Sequence, residues 1–319
     1  MDEMQKVLVT GGCGLIGQHI CSGLLKKGCE VIAVDREECG YNVGKLHYSF
    51  IACEPTDKNK FAEIFEKNKI NVLIHAACTV DNDFGPIITD KEMGIAKECD
   101  KFIYRYAMTE DVGKIILLST DQVYDFPKTR EPIREDNELK PTTNYAVMKH
   151  NSEKALVEEM KQHPNTMCCI IRYSPVYTLN FTDNLVAKIT DPKDGTKFVY
   201  GKGNYGFQFC CVHNLVDFML CYVKNADDMS YAGVYNVSDK LLVTAAEIIN
   251  FMKEHHHLGA IIQKTPGGAI SKLKGIFGNK EAKTNYRYLD LSKLENNNML
   301  DHTKAAKLTN PRWDIHNTK

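Results

Sequence analysis

The sequence predicts an α/β protein built on a doubly wound parallel sheet, joined to a smaller and more irregular α/β lobe in its C-terminal half. Two observations lead to this prediction. Short apolar runs alternate with stretches of helical periodicity in the first half of the chain, which is typical of a parallel sheet covered by helices. A glycine-rich turn also joins the first apolar run to the first helical stretch.

Five apolar runs in the first half are predicted to be strands of that sheet. They are KVLVT (6–10), EVIAVD (30–35), NVLIHAA (71–77), KIILLS (114–119) and MCCIIRY (167–173). Their apolar residues are continuous rather than alternating, so these strands should be covered on both faces. Further along, GVYNVS (233–238) predicts another strand, and the residues from about 244 to 254 predict a helix.

The turn after the first strand carries the clearest chemical signal. Gly11, Gly14 and Gly17 have the spacing that permits a tight turn, a close approach of the backbone to a pyrophosphate and close packing of helix on strand. The start of the next helix, at Leu15 and Ile16, then offers free N–H groups to the phosphates. A strand before the motif and a helix after it indicate a dinucleotide site.

The end of the second predicted strand indicates which dinucleotide binds. Asp35 follows Gly17 at the distance where a carboxylate accepts hydrogen bonds from both adenosine ribose hydroxyls. The same carboxylate would repel a 2′-phosphate, so NAD is favoured over NADP. Arg36 offsets part of that repulsion and weakens the preference.

The alternating pattern loosens after about residue 175. We assign residues 1–174 to an NAD-binding Rossmann-like domain, with segments near 213–238 returning to it. Residues 175–319 are assigned mainly to a substrate-binding lobe, in which glycine-rich loops such as GKGNYG are frequent.

The bulk composition excludes several classes of function. The formal net charge is −1 and 43% of the residues are hydrophobic, so no charge footprint indicates nucleic acid or an anionic membrane. No apolar stretch has the length of a bilayer span. The twelve cysteines contain no C-x-x-C spacing, so we expect reduced thiols, no metal site and a cytoplasmic location.

A Tyr and a Lys four residues apart predict a proton-transfer site. Tyr145 and Lys149 open a predicted helix and lie on one face of it. A phenol has a solution pKa near 10, so it is a poor base at neutral pH unless a nearby cation stabilises the phenolate. Lys149 supplies that cation, and Thr120 lies 25 residues before Tyr145.

These motifs together resemble one enzyme family. TGGCGLIG, Asp35, IHAAC, STDQVYDF, YAVMK and IIRYSPVY occur in the order and spacing of extended short-chain dehydrogenases/reductases, and the chain resembles their NAD-dependent epimerase/dehydratase group. The resemblance implies that Thr120 hydrogen-bonds the substrate oxygen and that Tyr145 moves its proton. It implies that Lys149 binds the nicotinamide ribose, and that Ala76, Ala77 and Glu54 belong to the cofactor site, Glu54 near the adenine.

The residues after Thr120 discriminate between reactions within that group. Nucleotide-sugar 4,6-dehydratases carry Asp and then Glu there, whereas this chain has Asp121 and then Gln122. An amide has no useful basicity, so the resemblance disfavours dehydration. STDQVYD also resembles the matching segment of dTDP-4-dehydrorhamnose reductases. Asp121 could orient the substrate, act as an acid or cap the turn.

The resemblance is weaker where relatives bind the substrate phosphates. Phe207 stands at the position of a phosphate-binding Arg, and Asn214 replaces the final Asp of the same motif. A second phosphate-binding Arg falls near Lys280, which would be only a point charge. Ser174 is the remaining predicted substrate contact. Because no Arg guanidinium stands at these positions to bind a phosphate through two hydrogen bonds, the sequence does not establish whether the substrate carries a nucleotide.

We therefore expect an NAD-dependent epimerase or oxidoreductase that acts on a sugar, in the first instance a nucleotide-activated one. A 4-keto-sugar reductase, a dehydrogenase of a non-nucleotide carbonyl compound and a non-catalytic NAD(P)-binding regulatory subunit are the alternatives. A homodimer would be usual for the group.

Overall fold

The computed structural model describes residues 4–78, 88–125, 131–191, 194–264 and 299–319. Its centre is a seven-stranded sheet in which every neighbouring pair is parallel. The strands are β1 (Lys6–Thr10), β2 (Glu30–Asp35), β3 (Tyr48–Ala52), β4 (Val72–His75), β5 (Lys114–Leu118), β6 (Met167–Tyr173) and β11 (Gly233–Val237). Their spatial order is β3-β2-β1-β4-β5-β6-β11. From β1 the chain adds strands first on one side, to β3, and then on the other side, starting with β4. The change of side between β1 and β4 creates a crevice at the carboxyl ends of the strands.

Smaller elements complete the chain. The minor strands are β7 (Val176–Tyr177), β8 (Phe198–Tyr200), β9 (Gly206–Phe207), β10 (Cys210–Cys211), β12 (Val243–Thr244) and β13 (Ile262–Lys264). The helices are α1 (Leu15–Lys26), α2 (Lys58–Lys67), α3 (Asp90–Thr109), α4 (Asn144–Met160), α5 (Asp183–Ala187), α6 (Val212–Asn225), α7 (Ala245–His255) and α8 (Thr303–Ala306). The minor strands form three pairs, β10 with β7, β12 with β9 and β13 with β8.

Helices cover both faces of the central sheet. Alternate residues of β1 point to opposite layers, so Val7 and Val9 pack in one apolar cluster and Leu8 in the other. The first cluster includes side chains of α1 and α6, and the second includes side chains of α2, α3 and α4. Burial on both faces explains why the strand sequences are continuously apolar, and the predicted α/β doubly wound fold is confirmed.

The strand β3 was not predicted from the sequence. Its residues, YSFIA, are only partly buried or exposed, because β3 is the edge strand beside β2. An edge strand that is half exposed does not need the continuous apolar run by which we located the others.

The lobe after β6 has its own apolar cluster and also returns to the main sheet. Phe207, Phe209 and side chains of α7 lie in that cluster. Helix α6 packs on α1, and β11 pairs with β6. In the part of the chain that the structure describes, no helix combines the length and apolar character needed to cross a bilayer.

Candidate active site

A cavity of about 270 Å³ opens at the crevice formed by the carboxyl ends of the strands. The loop after β1 and the ends of β2, β4 and β5 form one wall, and residues after β6 form the other. It is lined by Thr10, Gly11, Gly14, Leu15, Ile16, Gly17, Val34, Asp35, Arg36, Cys53, Pro55, Phe61, Ala76, Ala77, Cys78, Thr120, Gln122, Tyr145, Lys149, Tyr173, Pro175, Val176, Phe181 and Asn184. Most residues predicted for the cofactor and the catalysis therefore lie around one cavity.

The glycine turn has no room for side chains at several positions, among them Gly11 and Gly17. Gly11 has a φ of +67°, and a Cβ there would lie 2.8 Å from the backbone of Ala77. A Cβ on Gly17 would lie 2.0 Å from the carbonyl oxygen of Gly11. Helix α1 begins at Leu15 with no side chain capping its N-terminus. The turn is thus a bare backbone cradle in front of a helix N-terminus, which suits phosphate groups.

Asp35 is held at the end of β2 beside this turn. Its carboxylate accepts hydrogen bonds from the backbone N–H of Cys13, at 3.0 Å, and of Arg36, at 2.8 Å. Glu54 is exposed and is not among the residues that line the cavity, although its neighbours Cys53 and Pro55 are. The carboxylate of Asp35 is therefore the acidic group of the described residues that faces this end of the cavity.

Helix α4 presents Tyr145 and Lys149 to the cavity. Both side chains are buried, as expected for two residues one turn apart on the same face. The Lys149 ammonium donates a hydrogen bond to the carbonyl oxygen of Leu118, at 3.1 Å. Since Leu118 ends β5 just before Thr120, this bond fixes the cation relative to the strand end.

The segment after β5 forms a short 3-10 turn that aims selected side chains at the cavity. The hydroxyl oxygen of Thr120 accepts the N–H of Gln122 at 3.3 Å. The amide oxygen of Gln122 accepts a hydrogen bond from the Thr143 hydroxyl at 3.3 Å, and Thr143 also caps α4. Thr120 and Gln122 line the cavity, whereas Asp121 is buried outside its lining. Gln122 is thus fixed by the cap of the helix that carries Tyr145.

A buried ion pair supports the strand end from behind. Arg172 on β6 makes a bidentate pair with Glu153 of α4, at 3.0 and 2.8 Å, and the Ser119 hydroxyl also donates to Glu153. Burial opposes the charge of Glu153, but the nearby His150 ring, the hydrogen bonds from Arg172 and Ser119 and the charge of Arg172 outweigh it and lower its pKa. Glu153 therefore stays ionised and ties β5, β6 and α4 together next to Thr120.

A group of hydrogen bonds centred on His75 holds the loop after β4. His75 is buried and contacts the Thr10 hydroxyl through Nδ1 at 2.8 Å and Asp100 through Nε2 at 3.0 Å. The same Thr10 hydroxyl oxygen accepts the N–H of Ala77 at 3.4 Å. Because both ring nitrogens of His75 are engaged, its role here is to position the cavity wall.

The lobe side of the cavity includes residues that sequence reasoning missed. Tyr173, Phe181 and Asn184 line it, and the Asn184 amide donates to the carbonyl oxygen of Val176 at 2.7 Å. Phe181 and Asn184 belong to no motif and meet the cavity only through the path of the chain after β6, whereas Tyr173 is the last residue of β6 and lies within IIRYSPVY.

Two predicted substrate contacts lie elsewhere, and a third falls outside the described residues. Ser174 is fully buried, and its hydroxyl oxygen has no hydrogen-bond partner among the described residues. Phe207 packs in the apolar cluster of the lobe. Lys280 lies outside the described residues.

The donor set of the cavity fits an extended dinucleotide such as NAD. The glycine cradle and α1 would hold the pyrophosphate, Asp35 the adenosine ribose, and Lys149 the ribose at the other end. Within the ranges given above, no group of three or more His, Cys, Asp or Glu side chains is arranged to hold a metal ion.

The model of the NAD dependent epimerase/dehydratase family matches residues 7–238. A dTDP-D-glucose 4,6-dehydratase of Dictyostelium discoideum is 29% identical over 275 residues, which cover 77% of this chain and 62% of that protein. A UDP-glucose 4-epimerase of Haemophilus influenzae is 29% identical over 191 residues, which cover 52% of each. The chain thus spans less than two thirds of either relative.

Solved structures share the fold over almost the whole chain. The UDP-Glc/GlcNAc 4-epimerase of Campylobacter jejuni gives a TM-score of 0.75 at 19% identity, covering 98% of this chain and 95% of that one. The UDP-glucuronic acid 4-epimerase of Bacillus cereus, solved with UDP-glucuronic acid and NAD, gives 0.72 at 17% identity and covers 98% and 95%. At these identities the likeness concerns the fold.

Proposed function

Because this chain belongs to the NAD-dependent epimerase/dehydratase family, we propose that it is an NAD-dependent epimerase acting by oxidation and reduction at one carbon of a nucleotide-activated sugar. The observation that carries the proposal is that Thr120, Gln122, Tyr145 and Lys149 line one cavity together with the glycine cradle. When bound, NAD supplies an acceptor and donor of hydride at the sugar carbon. Everything else is performed by side chains of the chain.

Tyr145 and Thr120 act on the substrate oxygen. The Tyr145 phenolate takes the proton from the sugar hydroxyl as that carbon is oxidised, and returns it on reduction. The buried ammonium of Lys149 favours the phenolate, and its bond to Leu118 keeps it in place. The hydroxyl of Thr120 donates to the same substrate oxygen and orients it.

Gln122 separates this proposal from dehydration, an activity that the name of the Dictyostelium relative states. Removal of water needs a group that accepts a proton from the neighbouring carbon. The amide of Gln122 has no such basicity, and its oxygen is already occupied by the Thr143 hydroxyl. The residue therefore supports epimerisation or ketone reduction.

The identity of the substrate is tested by the mass of the product. We would incubate the protein and NAD with UDP-glucose, UDP-glucuronic acid and dTDP-glucose and analyse the products by chromatography and mass spectrometry. An isomer of unchanged mass supports the proposal. Loss of one water would contradict the interpretation of Gln122, and a stable ketone formed with net cofactor reduction would favour a simple dehydrogenase.

A second candidate is a related reaction on a sugar without a nucleotide. The observation that favours it is Phe207, which packs in the lobe cluster at the position where the resemblance places a phosphate-binding Arg. If none of the nucleotide sugars raises the melting temperature of the protein while free keto-sugars consume NADH, this second candidate replaces the first.

The catalytic assignment predicts the effect of one substitution. Tyr145→Phe should lower kcat about 10²–10⁴-fold, because proton transfer by a positioned side chain contributes that much, and should leave NAD affinity within about threefold. Tyr106→Phe is the matched control, since the Tyr106 hydroxyl contacts Glu66 at the exposed surface. Steady-state kinetics and calorimetric titration with NAD give both quantities, and normal turnover in Tyr145→Phe would refute the role.

A further inference from the structure

Two cysteines lie next to each other beside Asp35, the residue whose carboxylate would bind the adenosine ribose. Cys13 lies in the glycine turn, and the backbone N–H of Cys39 donates to its sulfur at 3.3 Å. Cys39 is exposed and Cys13 is partly buried, and neither is in a disulfide.

The position of this pair connects it to Asp35. The N–H of Cys13 donates to one carboxylate oxygen of Asp35 and the N–H of Arg36 to the other. Residues 36–39 therefore leave the end of β2 and return over Cys13. A disulfide between Cys39 and Cys13 would move the backbone of Cys13 and of residues 36–39, which supplies both N–H groups bonded to the Asp35 carboxylate.

We propose that Cys13 and Cys39 are a reversible redox site, at which a peroxide forms a disulfide that shifts the two N–H groups bonded to Asp35 and weakens NAD binding. The effect on binding rests on the proposed cofactor role of Asp35. The formation of the disulfide does not, because it depends only on the two sulfur atoms.

One molecule of hydrogen peroxide is the oxidant for the whole reaction. The exposed sulfur of Cys39 attacks one peroxide oxygen, the O–O bond breaks, and Cys39 is oxidised to a sulfenic acid as the first water leaves. The sulfur of Cys13 then attacks the Cys39 sulfur, the S–O bond breaks, and the second water leaves with the thiol proton. Two thiols are oxidised to one disulfide, and hydrogen peroxide is reduced to two water molecules.

The order of the two steps follows from exposure. Burial raises the pKa of Cys13 to about 11, helped by the Cys39 side chain and opposed by the Cys39 N–H. Its thiolate is scarce at neutral pH, so Cys39 reacts with the peroxide and Cys13 resolves the intermediate. Cys21, the next thiol in the neighbourhood, is fully buried with its S–H directed at the carbonyl oxygen of Gly12.

Peptide mapping and NAD titration of the same samples test the proposal. We would treat the full chain with hydrogen peroxide, digest part of it with trypsin, and fragment any species that joins residues 7–26 to residues 37–45. Fragmentation is needed because residues 7–26 contain both Cys13 and Cys21. A Cys13–Cys39 link is expected, and linkage through Cys21 or no link would overturn the proposal.

Calorimetric titration of the remaining sample measures the effect on the cofactor. We expect about tenfold weaker NAD binding after oxidation, from weakened hydrogen bonds to a charged group, and full recovery with dithiothreitol. By reciprocity, bound NAD should shift the equilibrium with dithiothreitol toward the reduced thiols. An unchanged affinity in a chain that carries the link would disprove the effect on binding. If the reduced chain fails to bind NAD, the cofactor site is wrong, and the mapped disulfide still decides the redox site.

Two variants separate this pair from the other thiols. Cys39→Ser should bind NAD normally and lose its sensitivity to peroxide, because its hydroxyl does not form the link. Cys221→Ser removes a partly buried thiol on α6 and should remain as sensitive as the unmodified chain. Peroxide sensitivity that persists in Cys39→Ser would show that another residue is responsible.

Discussion

Asp35 is the residue on which we propose that the cofactor preference depends. Its carboxylate is oriented by two backbone N–H groups and faces the cavity. A ribose with free hydroxyls can donate to it, whereas a 2′-phosphate meets its negative charge.

Asp35→Asn should therefore bind NAD about tenfold more weakly and discriminate less against NADP, because the bonds to a charged acceptor become bonds to a neutral one. Glu54→Gln is the control for general loss of acidic charge, and its loss of affinity should be smaller because Glu54 is exposed. Titration with NAD and with NADP gives, for each variant, the ratio of its affinities for the two dinucleotides. A variant that still prefers NAD as strongly as the unmodified chain would contradict the role of Asp35.

Asp239 is a buried carboxyl group outside the cavity. It accepts hydrogen bonds from the Tyr177 hydroxyl, the Cys211 N–H and the Asn214 amide. Burial raises the pKa of Asp239 to about 7, although these three hydrogen bonds lower it and the charge of Asp314 adds to the rise. The folded protein therefore holds a proton here at pH values where the unfolded chain has lost it.

Stability should consequently fall as the pH rises from about 4 to about 7, by on the order of 4 kcal/mol from this residue. Below that window the carboxyl is protonated in both states, and above it the contribution no longer changes. Asp239→Asn should remove this part of the pH dependence, as measured by urea unfolding across the window. Asp136→Asn, at the exposed surface, should keep it. If the free energy of unfolding changes with pH equally in the unmodified chain and in Asp239→Asn, the prediction is contradicted.

At the scale of elements, α1 and its turn form one unit with little tolerance. Helix α1 must approach β1 closely for its N-terminus to face the cavity, and Gly17 makes this possible. The close contact between Gly17 and the carbonyl oxygen of Gly11 leaves no volume for a methyl group.

Gly17→Ala should destabilise the protein by about 3 kcal/mol, because the turn must move to admit the Cβ, and should abolish NAD binding. Gly94→Ala is the matched control within α3, where a Cβ meets no atom within 4 Å. That change should stabilise the protein by about 1 kcal/mol through helix propensity alone. Thermal unfolding with and without NAD distinguishes the two, and a stable Gly17→Ala that binds NAD would refute the account.

At the scale of the whole molecule, the C-terminal segment joins the lobe to the sheet domain through α6. The side chain of Asn214 donates to Asp239 and to the carbonyl oxygen of Trp313, and its oxygen accepts the N–H groups of Arg312 and Trp313. A single buried amide thus holds together three parts of the chain that are distant in sequence.

Asn214→Ala should lower the free energy of unfolding by about 1–3 kcal/mol, because buried polar partners lose their hydrogen bonds. Asn225→Ala, at the exposed end of the same helix, should change it by less than about 0.5 kcal/mol. Urea unfolding measures both values. Equal effects of the two substitutions would show that the Asn214 contacts add nothing to stability.

The sequence determined the central sheet apart from β3, and the nucleotide end of the cavity. Continuous apolar runs locate β1, β2, β4, β5 and β6, because strands covered on both faces need apolar residues throughout. The glycine turn follows β1, and Asp35 ends the neighbouring strand β2. Local sequence therefore suffices to place both at the same edge of the sheet. The family motifs likewise predicted Thr120, Tyr145 and Lys149, which line the same cavity.

Only the tertiary structure decided the rest. The partly exposed β3 has no strong periodic signal, and Phe181 and Asn184 reach the cavity through the path of an irregular lobe. The bond from Thr143 to Gln122 joins residues 21 positions apart, and Cys13 meets Cys39 across 26 positions. Such contacts depend on how separate elements pack, and sequence patterns read within one element carry no information about them.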